Sequence, residues 1–524
     1  MLGLPQRVFA TAFLAALPRF GTQATAQPST QDLYDTPERQ AAVTVNLGDE
    51  FGVIPKELFG VNLSYFNDID TIWAAHGIAQ SLATAGVGAL RYPGGEETSF
   101  YSWRHPGVNG YEDIHADPTT HGDPPNRGPF QVTWVDPSEW ASNESFMSFD
   151  EFMEHCLAMD AEPFVGINMS SGRAHNRAEE CLEDALALVR HATERWGIAG
   201  EGGVRYWFLD NEPWHGKAAY TFDIEREYVP DVVRYSRAIK AIDPDAEIVV
   251  NPFSGESYNF REYAVRVIRA MGNAIDHIDV HWYPGWGIST WELWAGSPAM
   301  NTGTKWKPRE HHRTFAEDFE LLRGIFAEAG RPDLGLMALE WNIGPSTPLV
   351  PLSDEAFALM HAEMLMTFIG GELEAACLWT NLWRSKREVW PEQDLFPTLH
   401  DQQPPFGPTR SHDAFRMLSQ LAGCRRIAAS SDATDLLVTA ARADAGEPIV
   451  VLLNKSSMRR RITINLDPGG AVWAWESESF GVRRSDVYSA IYPPDDDGTT
   501  KVYVEPYSLS VVRGALPSTN DLFP

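Results

Sequence analysis

From residue 58 onward the chain alternates two patterns. Short runs that are apolar at nearly every position lie at 58–63, 87–91, 163–168, 206–209, 246–251, 278–281, 335–340 and 375–379. Between them are longer stretches with apolar residues three and four apart, at 78–85, 149–159, 179–196, 228–242, 260–271, 314–329 and 354–369. Continuous apolar runs suit strands covered on both faces, and the longer spacing suits helices with one buried stripe. The alternation predicts an α/β fold, and eight strands predict a closed (β/α)8 TIM barrel over 58–422. After residue 423 the helical spacing stops. Runs at 436–441, 449–454, 461–466 and 509–512, separated by turns, predict an all-β sandwich domain over 423–524. Ahead of the barrel, Ala42-Val43-Thr44-Val45-Asn46-Leu47 alternates and predicts one strand within a segment spanning 27–57.

The first 26 residues stand apart. Arg7 precedes a short, mostly apolar run from Val8 to Leu17, and Ala24-Thr25-Ala26 has the small-residue spacing of a cleavage site. The run is too short to span a membrane. It predicts a signal peptide and a secreted or periplasmic protein. Formal net charge is −30, and cleavage after Ala26 would remove Arg7 and Arg19 but no acid, giving −30 − 2 = −32. That field disfavours nucleic acid and anionic membranes as partners. The four cysteines, Cys156, Cys181, Cys377 and Cys424, form no C-x-x-C pair. Buried thiols are expected, with a Cys156–Cys181 disulfide left open.

The chemistry concentrates where two apolar runs end. Tyr206-Trp207-Phe208-Leu209 leads into Asp210-Asn211-Glu212-Pro213-Trp214, and Pro213, lacking an N–H, should stop the strand there. Gly335-Leu336-Met337-Ala338-Leu339 leads into Glu340-Trp341-Asn342. Both glutamates are thereby placed at strand carboxyl ends, where barrel enzymes hold their reacting groups. Their separation, 340 − 212 = 128 residues, leaves room for about three βα units, so Glu212 would end barrel strand 4 and Glu340 strand 7. Glu310-His311-His312 lacks H-E-x-x-H spacing, and no Gly-rich loop follows a strand, so neither a metal nor another cofactor is expected.

Four motifs in this order resemble the retaining (β/α)8 glycoside hydrolases of clan A, whose acid/base sits on strand 4 and nucleophile on strand 7. Asn211-Glu212-Pro213 matches their Asn-Glu-Pro, and Glu340-Trp341-Asn342 is similar to the Glu-Trp-Asn of family 51 α-L-arabinofuranosidases. Arg91-Tyr92-Pro93-Gly94-Gly95 and His281-Trp282-Tyr283 resemble that family's Arg-Trp-Pro-Gly-Gly and His-Tyr-Tyr. Leu209-Asp210-Asn211-Glu212-Pro213 is closer to family 44 endoglucanases, and family 39 shares the layout. The resemblance implies that Glu212 is the acid/base and Glu340 the nucleophile. It also implies that the early strand joins the β-sandwich. Arg91 would polarise Glu340, Asn211 would donate to the sugar 2-hydroxyl, and Tyr283 would touch Glu340. His281 would orient the acid/base or bind sugar, and Trp379 would lie under the sugar ring. Trp214, Trp286 and Trp341 complete the expected substrate-binding set. Glu96 and Glu97 depart from family 51, which carries a sugar-binding Asn after the glycines.

Three long connections, 96–146, 284–313 and 381–412, should emerge beside the glutamates. The first two are rich in aromatics, among them Tyr101, Trp103, Tyr111, Trp134, Trp140, Trp286, Trp291, Trp294 and Trp306. Rings lining a groove would suit endo-acting cleavage of a plant or algal polysaccharide at β-glycosidic links. The Pro-Gly-Gly and Glu-Trp-Asn motifs favour the alternative, an exo-acting α-L-arabinofuranosidase or β-xylosidase-like enzyme. A reading of another class is a carbohydrate-binding protein without catalysis.

Overall fold

The computed structural model describes residues 37–65, 68–101, 103, 147–174, 176–214, 220–253, 261–284, 291–297, 300, 313–343, 352–382, 397–401, 405–468, 474–495 and 499–515. The expected signal peptide lies outside the described residues, as do Tyr111, Trp134, Trp140, Trp286 and Trp306. A long first strand, β1 (Glu38–Val53), precedes eight barrel strands: β2 (Gly60–Asn62), β3 (Ala89–Tyr92), β4 (Glu162–Ile167), β5 (Tyr206–Leu209), β6 (Glu247–Val250), β7 (His277–Trp282), β8 (Gly335–Trp341) and β9 (Ala375–Leu378). Each overlaps one of the apolar runs. All neighbours are parallel, and β2 pairs with β9 through Gly60 and Cys377, which closes the barrel.

Side chains alternate across the barrel wall, as the two-residue period of a strand requires. Ala89, Phe164, Tyr206, Phe208, Val249, Met337, Leu339, Ala375 and Cys377 fill the interior, with Phe164 and Tyr206 stacked at 4.4 Å. Their sequence neighbours Leu90, Val165, Trp207, Ile248, Leu336 and Ala376 face the surrounding helices. This apolar plug separates the polar side chains at the mouth from His277, Glu247 and Glu374 at the opposite end.

The C-terminal strands are β10 (Arg425–Ser431), β11 (Leu436–Arg442), β12 (Pro448–Asn454), β13 (Arg459–Asp467), β14 (Ala474–Gly481), β15 (Arg484–Tyr492), β16 (Lys501–Val504) and β17 (Ser508–Ala515). With β1 they form one nine-stranded run ordered β15-β14-β17-β12-β11-β10-β1-β13-β16. β1 lies antiparallel to β10 and parallel to β13. Val43, Val45, Val450, Leu452, Ile462, Trp475, Val502 and Val504 share one core although they come from both ends of the run, so the sheet curls over itself as a sandwich does. The opposite face of β12, Ile449, Val451 and Leu453, belongs to the core that surrounds the barrel.

The helix Asp354–Gly370 lies between the barrel and this sheet and is apolar around its whole circumference, as a helix covered on all sides must be. All four cysteines are free and buried. Among the described residues, no helix is long and apolar enough to cross a membrane.

Candidate active site

Glu340 and Glu212 meet at the carboxyl end of the barrel. Along β7, His277, Asp279 and His281 share the inward face while Trp282 points out onto Phe315 and Phe319. In β8, the pairing with β9 shifts between Ala338 and Trp341. That irregularity turns Glu340 into the mouth just after inward-facing Leu339, a common use of a broken register beside a site. Trp341 is left facing outward. It is fully buried, stacked on Phe415 and edge-on to Phe368 and His361. The expectation that Trp341 binds substrate is therefore corrected: the irregularity that turns Glu340 into the site leaves its neighbour packed under the helices.

Arg91 is the hub beneath the site. It is 1% exposed, and its guanidinium lies 4.4 Å from the centre of the Phe208 ring. Nη1 donates to Asn62 Oδ1 (2.7 Å) and to Glu340 Oε2 (3.3 Å), and Nη2 donates to Asn211 Oδ1 (2.6 Å). An arginine only donates, so this contact leaves Asn211 with its amide N–H groups for another acceptor. Asn62 is itself fixed by donating to the Leu339 carbonyl at 2.8 Å and the Cys377 carbonyl at 3.0 Å.

Glu340 Oε1 accepts from the Tyr283 hydroxyl at 2.6 Å. Burial, and then the charge of Glu340, push the Tyr283 phenol well above its ordinary pKa, so it remains a donor. Glu212 Oε1 is 2.9 Å from His281 Nδ1, whose other ring nitrogen, Nε2, is 3.0 Å from Asp279 Oδ2. Asp279 is buried and is held in turn by the Leu339 N–H at 2.7 Å. Burial opposes a charge on His281, but Glu340, Asp279 and the hydrogen bonds to Asp279 and Glu212 outweigh it and raise its pKa to about 10. His281 is accordingly an imidazolium at neutral pH, donating from both nitrogens.

The turn that displays Glu212 is built by Asp210. Asp210 and Glu212 both have positive φ, 63° and 42°, a conformation uncommon outside glycine and typical of functional turns. The Asp210 carboxylate pins it by accepting from Ser99 Oγ (2.6 Å) and from the N–H groups of Asn211 (2.8 Å), Met169 (3.0 Å) and Ser170 (2.6 Å). Trp214, half-buried just beyond, donates to Asn251 Oδ1 at 3.0 Å.

Trp379 ends β9 with 7% of its surface exposed. A Cβ at Gly95 would fall 2.9 Å from its ring and 3.0 Å from Glu340 Oε2, so glycine is what lets that ring and the carboxylate stand side by side. Gly94 has φ +140°, and a Cβ there would strike Glu97 Oε2 at 2.7 Å. Glu97 is buried, and burial followed by the charge of Glu340 raises its pKa to about 7. Asn342 ties the far side: it donates to the carbonyls of Trp379 and of Pro397 (2.9 Å) and accepts from His361 Nε2 (2.9 Å).

The structure thus brings Arg91, Asn211, Glu212, His281, Tyr283, Glu340 and Trp379 together, with Trp214 adjacent. Trp286 lies outside the described residues. Sequence reasoning missed the roles of Asn62, Glu97, Asp210, Asp279 and Asn342. Asp279 had a signal: it stands two residues before His281 on a strand and so shares its face.

One ligand atom each of Glu212, His281 and Glu340 lies within 4.8 Å of the others, close enough to surround an ion. A proton already occupies His281 Nδ1 at neutral pH and Arg91 supplies a second positive charge, an arrangement suited to proton chemistry.

No family model matches the chain. A stretch covering 39% of it is 24% identical to alpha-L-arabinofuranosidase C of Emericella nidulans and covers 38% of that protein. Another covers 38% of this chain at 28% identity to the intracellular exo-alpha-(1->5)-L-arabinofuranosidase of Streptomyces lividans, and 28% of that protein. The chain therefore spans well under half the length of these curated relatives. Among solved structures, the alpha-L-arabinofuranosidase from Thermotoga maritima in its arabinose complex aligns over 91% of this chain and 100% of its own, with TM-score 0.67 and 15% identity. A Paenibacillus polymyxa xyloglucanase from family 44 aligns over the same shares, with TM-score 0.64 and 14% identity. These likenesses establish the common architecture of barrel and β-domain. In sequence the chain is similar over about two fifths of its length to α-L-arabinofuranosidases, and in architecture to (β/α)8 glycoside hydrolases that include enzymes of families 51 and 44.

Proposed function

We propose that the protein is a retaining glycoside hydrolase working by double displacement, with Glu340 as nucleophile and Glu212 as acid/base. The observation that carries this reading is the approach of one oxygen of each carboxylate to within 4.8 Å of the other at the lip of one barrel. Retaining pairs stand about 5–5.5 Å apart, while inverting pairs need about 6.5–9.5 Å to admit a water. Glu340 accepts from Arg91 on one oxygen and from Tyr283 on the other, which holds the carboxylate in place for attack. As Glu340 attacks the anomeric carbon, the bond to the leaving oxygen breaks and Glu212 gives that oxygen a proton. Glu212 then takes a proton from the water that cleaves the glycosyl–Glu340 ester. The 2.9 Å contact to His281 keeps a proton in reach of Glu212 throughout. Asn211 has N–H groups to offer the sugar 2-hydroxyl, and Trp379 walls the ring beside Gly95.

For the substrate, the support favours an exo-acting enzyme of the α-L-arabinofuranosidase type over the endo-acting β-glycanase that the aromatic loops suggested. The curated relatives carry that name. Trp291 and Trp294, the described tryptophans of the loop after β7, pack together at 5.1 Å. The equally good fold match to a family 44 xyloglucanase sustains the endo reading as second. Export after cleavage at Ala26 remains part of the proposal, tested by N-terminal sequencing of protein recovered outside the cytoplasm.

The deciding experiment follows early products by proton NMR on an aryl α-L-arabinofuranoside and on arabinan, xylan and β-glucan. Arabinose released with its anomeric configuration kept supports the proposal. Oligosaccharides as first products from a β-glycan transfer it to the endo reading. Inverted product overturns the mechanism, and binding without hydrolysis of any glycan leaves a carbohydrate-binding protein.

A further inference from the structure

We propose that the buried pair Lys455–Glu363 positions the substrate cleft from the C-terminal sheet, by anchoring the chain that follows Tyr283. Lys455 Nζ lies 2.8 Å from Glu363 Oε2, and the two side chains are 0% and 1% exposed. The second oxygen of Glu363 accepts from the Met300 N–H at 2.7 Å. The ammonium also sits 4.7 Å from the centre of the Trp294 ring. Trp294 packs on Trp291, and Trp291 on Tyr507 of the C-terminal domain at 4.9 Å. Met300, Trp291 and Trp294 all belong to the connection after β7, the strand that delivers His281 and Tyr283 to the site.

A buried ion pair is a poor way to gain stability, because desolvating both charges offsets most of their attraction. What it supplies is geometry. On the helix Asp354–Gly370 two polar side chains are fully buried, His361 and Glu363. His361 reaches Asn342, which holds the Trp379 carbonyl, and Glu363 reaches Met300. This helix thus extends one buried polar arm to Asn342, beside Trp379, and another to Met300. Lys455 keeps the second arm charged and aimed. Loops after barrel strands form the substrate surface, so the anchor acts on that surface through Trp291, Trp294 and Met300.

The kinetic arm of the test rests on the glycosidase reading, while the exchange arm does not. Three full-length variants are compared. Lys455→Met strands the Glu363 charge and should fold poorly. Lys455→Met/Glu363→Gln removes both charges but keeps an acceptor for Met300. Lys455→Met/Glu363→Leu removes the acceptor too. Both double variants should recover most of the lost Tm, since an apolar replacement of a buried pair is often close to neutral. Only the Leu variant should speed amide exchange at 291–300, by about tenfold or more. It should also raise KM on an oligosaccharide about tenfold while kcat on a one-sugar aryl glycoside stays within about twofold. Should the Leu variant not fold, Tyr507→Asn, which loosens the Trp291 end, should produce the same exchange change at smaller size. Unchanged exchange at 291–300 in both Leu and Tyr507 variants overturns the anchor. Faster exchange with an unmoved KM overturns its link to the cleft. A wild type that hydrolyses no glycoside overturns the functional reading alone and leaves the exchange result to decide the anchor.

Discussion

Glu212 and Glu340 end two strands of one barrel and differ in almost everything around them. Glu340 is gripped by two donors, the Arg91 guanidinium and the Tyr283 hydroxyl, one on each oxygen. Glu212 has His281 on one oxygen, stands on a turn of positive φ, and is the more exposed, with 16% of its side chain accessible against 11%. Glu340 is thus held from both sides, whereas Glu212 meets one ring nitrogen of a histidine that is bound in turn to Asp279. In the proposed mechanism the two like residues take opposite roles, and their surroundings differ accordingly. The donors to Glu340 come from β3 and from the residue that follows β7, while His281 of β7 meets Glu212.

The contrast breaks most completely if the nucleophile is removed. Glu340→Gly should lower kcat by about four orders of magnitude or more on every substrate, because no other group can take its place. Azide should restore turnover and yield a glycosyl azide of inverted configuration. Recovery without azide, or residual activity above about one per cent of wild type, would place the nucleophile elsewhere.

Glu212→Ala should be gentler and selective. Losing an acid/base costs about 10²–10⁴-fold on a poor leaving group. The first step on an activated aryl glycoside, which needs little protonation, should fall by less than about tenfold. Equal losses on both substrates, measured by single-turnover release of the aryl group, would contradict the division of roles. A smaller effect tests the grip on Glu340. Tyr283→Phe removes one hydrogen bond to a charged group, a loss of about 1.5–3 kcal/mol, so kcat/KM should drop roughly 10- to 150-fold with the fold intact.

The barrel was legible because each of its strands is buried on both faces and appears as an unbroken apolar run, for example Phe164-Val165 or Ile248-Val249-Val250. The two glutamates were legible because each follows such a run directly. What surrounds them was not, because it depends on which residues of eight separate strands converge. Asn62 looks like any residue ending an apolar strand, and only the parallel pairing of β2 with β3 sets it beside Arg91. Trp341 was misplaced because neither the motif nor simple strand alternation reveals the irregularity in β8. Trp291 and Trp294 were legible as large aromatics in a loop, but their partners Lys455 and Tyr507 are far away in sequence and belong to another domain. Sequence exposes local pattern well; it hides contacts whose two halves are ordinary when taken singly.

The subtlest difference between the two carboxylates is the titrating partner, and Asp279→Asn isolates it. Asp279 accepts from Leu339 N–H on one oxygen and from His281 Nε2 on the other. With Asn in its place, the acceptor stays with Leu339 and an N–H group faces His281. Nε2 must then give up its proton to accept, and His281 becomes neutral while Nδ1 still donates to Glu212. The raised pKa of about 10 falls, since both the Asp279 charge and its hydrogen bond contribute to it. Two consequences follow. A histidine whose folded pKa is raised contributes stability fully present below its unfolded value and lost as pH climbs to the folded one. Wild type should therefore shed stability between about pH 6.5 and 10, and the variant should show little of that slope. In activity, a neutral imidazole beside Glu212 holds the carboxylate less firmly than an imidazolium, so the pair keeps its proton to higher pH. The alkaline limb of kcat/KM should move up by about one pH unit with a loss of no more than about tenfold at the optimum. If the limb stays in place while the stability slope disappears, His281 lost its charge without affecting the acid, and Glu212 would be shown to hold its proton independently of its neighbour.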